Sequence, residues 1–312
     1  MSETSRAGRA RIPYLLWMIH PKTAERIFRI ATSLPPYELS LSDAINLPKA
    51  QQLCWDAMEC QDRNEVGRLA VEATKLTPFC ADAFNLLADL ICCNDAEQLL
   101  LLGWATRVGE IACRDRITED TGHLHGFVDA RPYMRARTAL AETLRRVGCY
   151  EEALRHYEEL LRLEHNDQIA AAMLMTGYLE LRRLPAAKEV IQRFAESGGT
   201  HQRYSYVVWC WLSGIREPEF VAALQKALHS NVFVPALLSD PEMPYERSAF
   251  GVTLGGADEA AEYVTVSHRL WEANPKLKRK VITVGRRLIP KVQAERDAQR
   301  REIRRRAGLE DD

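Results

Sequence analysis

Nowhere does the chain approach the ~18 to 20 consecutive apolar residues needed to span a bilayer. Its eight cysteines include no C-x-x-C pair, and it has no Gly-x-Ser-x-Gly elbow, phosphate loop, His-Glu-x-x-His or Cys-His nucleophile pattern. The first absence argues against a membrane span. The second argues against a disulfide framework or zinc site: Cys54, Cys60, Cys80, Cys92, Cys93, Cys113, Cys149 and Cys210 fall mostly at apolar positions of helical patterns, as reduced core thiols of a cytoplasmic protein would. The third leaves no catalytic constellation. Carboxylate pairs such as Glu151/Glu152 and Glu158/Glu159 fit solvated helix faces, so neither an enzyme nor a cofactor is expected.

What is present is a chain of 312 residues, 46% hydrophobic and 27% charged, enough to bury one extended core or two compact ones. Arg6, Arg9 and Arg11 precede the apolar run Ile12 to Ile19, the outward plan of a secretory signal. The run is short, His20 and Pro21 end it and no small-residue cleavage site follows, so no targeting peptide is expected. The formal charge of −1 conceals a polarity. Residues 275–312 hold thirteen Lys/Arg against six Asp/Glu, a net +7, which leaves −8 on the remainder.

A period of 34 residues runs through the middle of the chain. Leu140, Leu144, Ala153 and Leu160 are followed at that interval by Leu174, Tyr178, Ala187 and Phe194. The best unit is "LAETLRRVGCYEEALRHYEELLRLEHND" (140–167): an amphipathic helix, a turn at Gly148 and a second helix carrying Ala153, Tyr157, Leu160 and Leu163. An earlier unit, 47–78, ends in Ala73, Leu76 and Pro78, and in the next one Phe84 and Ala88 stand where Ala50 and Cys54 stood. That next unit predicts a long second helix from Asp95 to about Arg116, and a degenerate unit covers 204–231. Helices that each bury one stripe must stack on neighbours, so an all-α fold, an α-solenoid of four to six helix-turn-helix pairs, is expected.

The division read from these patterns is an N-terminal extension, partly helical, over 1–44; a repeat array over 45–231; an irregular connector and capping helix over 232–275; and a basic tail over 276–312. Asp258 is expected to cap the helix that resumes after Gly256, and Pro290 to break the tail helix.

The 140–167 unit resembles the tetratricopeptide repeat, with a small residue, Ala153, where paired helices approach closely. Three stretches narrow the likeness: "GHLHGFVDARPYMRAR" (122–137), "HYEELLRLEHND" (156–167) and the segment from Asn231 to Trp271. They are similar to the family that includes the suppressor-of-tumorigenicity-7 proteins and related bacterial repeat proteins. Gly122, His123, Gly126 and Arg131 to Arg137 match that family's central motif, and Leu163 to Asp167 its following turn. Leu124 and His125 replace its aromatics, and the turn lacks its proline. Over residues 47–275 the resemblance implies a repeat scaffold with no established enzymatic chemistry.

The 122–137 segment crowds chemistry into an insertion of about twenty residues between the second and third units. His123, His125 and Asp129 have metal-ligand spacing, but no further His or Cys converges in sequence, so structural hydrogen bonding is favoured and no metal is expected. Arg131, Arg135 and Arg137 lie in the first turns of a helix opened by Pro132. They read either as pairing with Glu119, Asp120 or Asp129, the favoured reading, or as an anion site. Gly122, Gly126, Pro132 and Tyr133 are the rigid parts expected to lock the joint.

Function is expected in the groove lined by the first helices. There Trp55, Met58, Arg135, Glu142 and Arg145 are contacts for a protein partner, with Asp82, Asp89, Ile169 and Thr176 beside them. The Lys and Asn set that clamps a partner's C-terminal carboxylate is absent, which favours an internal segment. The alternative is an adaptor for nucleic acid or an acidic partner through the tail, though no aromatics interleave with its charges.

Overall fold

The computed structural model describes residues 38–196, 199–248 and 251–306. The signal-like run at 12–19 lies outside them, as do 307–312 of the tail. Every regular element described is helical. The fourteen α-helices of the described residues fall into two units, Met1–Ala170 and Ala171–Asp312.

In the first unit, helix α1 (Leu41–Glu59) starts before the expected unit boundary at Leu47, because Ser40 accepts the amide of Asp43 and caps it. It packs on α2 (Arg63–Leu76), whose Asp62 cap accepts from Asn64 and whose last turn stops short of Pro78. Helices α3 (Ala81–Ile91) and α4 (Asp95–Ala112) form the second pair. Asn94 accepts from the Glu97 amide while the Glu97 carboxylate accepts from Cys93, a reciprocal cap. The single long helix expected to Arg116 is instead broken. Helix α4 closes at Cys113, whose φ of −110° and ψ of 23° leave the helical region, and α5 (Arg114–Glu119) sets off anew. The third pair is α6 (Arg131–Arg146), opened by Pro132, and α7 (Tyr150–Leu163), with Gly148 at φ +86° in the turn between.

Each first helix touches its own mate and also both helices of the preceding pair: α3 packs on α1 and α2, and α6 packs on α3 and α4. The 34-residue register survives in the core. Ala50, Cys54, Phe84 and Ala88 are all fully buried, as are Ala153, Tyr157, Leu160 and Leu163 on the inward stripe of α7. Helix α8 (Gln168–Glu180) spans the boundary between the units.

The second unit contains α9 (Leu184–Arg193), α10 (Thr200–Leu212), α11 (Glu219–Ser230), α12 (Val234–Ser239), α13 (Ala257–Glu272) and α14 (Pro275–Arg306). Helix α12 interrupts the expected connector. Asp258 does not occupy the cap position of α13, which Gly256 holds; it sits two residues inside and accepts the amides of Thr253 and Glu259. Helix α14 runs through Pro290 without a break, contrary to expectation. Proline removes only one ladder hydrogen bond, and α14 is held on both sides of it. Upstream, Gly285 lies so close to α12 that a Cβ would come 2.9 Å from Pro235; downstream, Val292 is buried and Glu295 meets His229 at 2.8 Å. No described helix is long and apolar enough to cross a membrane.

Candidate functional site

The first helices α1, α3 and α6 lie in a common register. Gln51 Nε2 donates to Asp82 Oδ2 at 2.7 Å, Arg135 Nε donates to Asp82 Oδ1 at 3.0 Å, and Arg135 Nη2 donates to Oδ2. Asn85 adds a longer contact at 3.3 Å. The Asp82 side chain is fully buried, whereas that of Arg135 is 43% exposed. A buried carboxylate needs several charged or neutral donors, and this one takes them from three helices. This polar row is closed.

Seven residues further along each helix come Met58, Asp89 and Glu142, two turns on and on the same face. This second row is open. Met58 is 46% exposed, and Trp55, one turn before it, is 38% exposed. Asp89 and Glu142 face solvent, and their carboxylates accept no side-chain hydrogen bond from a described residue, although Arg63 Nη2 donates to the Asp89 main-chain carbonyl at 3.5 Å. The pKa of each is raised by desolvation against the surrounding helices; Arg63 and Arg146 oppose the shift at Asp89, and Arg146 opposes it at Glu142, where the Asp89 charge adds to it. Arg145 is partly buried, Ile169 is exposed, and Thr176, expected on this face, is fully buried.

The insertion is locked chiefly by backbone. Gly122 donates its amide to the Leu163 carbonyl and accepts that of His165, both at 2.9 Å, and the His125 amide donates to the Glu164 carboxylate. Gly122 has φ +104°, and a Cβ there would come 2.8 Å from the His165 ring, so glycine is required. Gly126 has open space around its Cβ direction, and no close approach explains it. The rings of His123 and His125 are exposed, with His123 edge-on to His165, so the expected hydrogen bonding from their side chains passes instead through the main chain. Asp120 and Asp129 pair with Arg116 at 3.2 Å each, not with the α6 arginines.

Those arginines diverge. Arg131 donates to the His125 carbonyl, Arg135 holds Asp82, and Arg137 lies over the ring of the buried Tyr133, 5.1 Å from its centroid. Among the described residues no group of three His, Cys, Asp or Glu side chains is placed to hold a metal. A shallow depression on α4 and α5, lined by Arg107, Glu110, Ile111, Arg114, Ile117 and Thr118, uses no residue of α1, α3 or α6.

Two histidines not singled out in the sequence are buried enough to titrate abnormally. His156 on α7 is pushed down to about 4 by burial and by Arg137, with Arg155 adding to this and Glu152 and Glu159 opposing it; His201 on α10 is pushed to about 4 by burial, opposed by Glu259. Their only sequence signal is a place beside an inward stripe, Ala153 to Leu160 for His156 and Tyr204 to Val208 for His201. The unfolded chain protonates such rings near pH 6.5 and the fold only near 4, so between these values the unfolded state binds more protons and stability falls as pH falls. The expected loss is about 2 kcal/mol per histidine between pH 7 and 4.5, allowing for partial solvent contact. Urea titrations at both pH values check it: His156→Gln and His201→Gln should each flatten the dependence relative to the parent chain.

Compared with known proteins, this chain of paired helices matches no family model, and no curated protein is significantly similar to it in sequence.

Proposed function

We propose that the protein is a non-enzymatic scaffold of the tetratricopeptide-like, α-solenoid kind, which binds a segment of a partner protein across the first helices α1, α3 and α6. The observation that supports this reading is the contrast between the two rows. Gln51, Asp82 and Arg135 satisfy one another, whereas Trp55, Met58, Asp89 and Glu142 present apolar surface beside carboxylates that accept no side-chain hydrogen bond from a described residue. That surface fits a segment with an apolar residue next to a lysine or arginine. Arg135, held by Asp82, belongs to the frame of the site and not to its contacts.

Peptides selected from a displayed library against the intact protein test this. Binding, read from anisotropy of labelled peptides, should weaken at least about tenfold in a folded Trp55→Ala/Met58→Ala chain, the loss of roughly 1.4 kcal/mol or more that hot-spot residues carry.

A second reading rests on α14. Beyond Val292 this helix is largely exposed and carries Arg296, Arg300, Arg301, Arg304, Arg305 and Arg306, with Arg305 and Arg306 both paired to Glu302. Binding of an acidic partner or nucleic acid there would show a steep salt slope and would be lost on reversing the charge of Arg300, Arg301 and Arg304. Deleting from residue 285 would mislead, because Gly285 and Val292 are buried parts of the second unit.

A further inference from the structure

Two of the eight cysteines touch: Cys54 Sγ on α1 and Cys80 Sγ, at the N-cap of α3, are 3.6 Å apart, and both residues are buried. Cys80 Sγ also donates to Gln51 Oε1 at 3.7 Å. These surroundings are unequal. The hydrogen bond with Cys54 lowers the Cys80 pKa against burial and the Asp82 charge, and the hydrogen bond to Cys80, burial and the nearby Cys80 and Asp82 charges raise that of Cys54. The two sulfurs are already in contact, and the direction of the shifts favours Cys80 as the attacking group and Cys54 as its partner.

We propose that Cys54 and Cys80 form a reversible intramolecular disulfide under a peroxide oxidant, joining α1 to the start of α3. The Cys80 thiolate attacks one peroxide oxygen, the O–O bond breaks, and the departing hydroxide takes a proton to leave as water, which gives a sulfenic acid on Cys80. Cys54 then attacks the Cys80 sulfur. The S–S bond forms, the S–O bond breaks, and the hydroxyl leaves with the Cys54 proton as a second water, so two thiols lose two electrons and peroxide gains them. Helix α1 packs chiefly on α2 and α3, so its local opening admits the oxidant to sulfurs that are otherwise covered. The bond would fix α1 one turn from Gln51 and next to Trp55. This inference stands without the partner-binding reading.

The test treats the folded full-length chain with hydrogen peroxide, blocks remaining thiols, and maps peptides without reduction. The expected result is a linked 54–80 pair lighter by about two hydrogens, reversed by a dithiol, with amide exchange along α1 slowed at least about tenfold. In a Cys54→Ala chain of unchanged circular dichroism, Cys80 should be trapped as a sulfenic acid by a dione reagent, and exchange along α1 should not slow. The proposal is overturned if Cys54 and Cys80 both remain alkylatable after unfolding while exposed Cys93 has been oxidised, or if Cys80 is linked to a different cysteine.

Discussion

Replacing Arg135 with alanine is expected to destabilise the first unit by about 3 kcal/mol, because it strands a buried carboxylate. Asp82 has no solvent contact and would keep only the neutral donors Gln51 and Asn85. A pair half open to water on the arginine side would be worth less than a fully buried one, but the stranded partner here is the buried one. Arg135→Lys should recover part of the loss, since it restores the charge but not the two-point contact. Glu142→Ala, two turns away on the same helix, should change stability by less than about 0.5 kcal/mol. Urea unfolding followed by helix-specific hydrogen exchange reads all three. A stable Arg135→Ala chain would mean that the row is not structural.

Trp271→Ala should cost the second unit about 4 kcal/mol, in the range for deleting a buried aromatic from a core. Trp271 is among the largest fully buried side chains of the described residues; its Nε1 donates to Ser267 Oγ at 3.0 Å, and its ring meets Tyr263 edge-on. Tyr263 in turn touches Tyr204 and His201 on α10. The sequence suggested that α13 is a terminal cap. In the structure it carries the aromatic core that joins α10 to α13, and α14 follows it. Thermal unfolding monitored in the near ultraviolet should show an early transition in the variant, with the first unit's transition unmoved. Parent-like melting would show the cluster to be loosely packed.

Local features of the fold were readable because their causes are local. The 34-residue recurrence, the stripe from Ala153 to Leu163, the stop before Pro78 and the entry at Pro132 each depend on neighbours a few residues away. Interactions across pairs were not readable. Asp82 and Arg135 are 53 residues apart, and nothing in either helix shows that one arginine of the 131–137 cluster would be committed to a buried aspartate while its neighbours turn to a carbonyl and a tyrosine ring. Trp55, Met58 and Glu142 are exposed, as their helical register implies, but the contrast between an open row and a closed one depends on Asp82, whose partners come from other helices. The continuity of α14 was hidden for the same reason. Pro290 acts locally, and the anchors at Pro235 and His229 that override it come from other helices.

If the Met58, Asp89 and Glu142 row is a binding surface, its apolar residues must carry affinity. The most direct measurement is the dissociation constant of one library-selected peptide for three folded chains: the parent, Trp55→Ala/Met58→Ala, and Arg300→Glu/Arg301→Glu/Arg304→Glu. The prediction is a loss of at least about tenfold in the first variant and no change in the second. Equal affinity for the parent and the Trp55/Met58 variant, or loss confined to the tail variant, would contradict it.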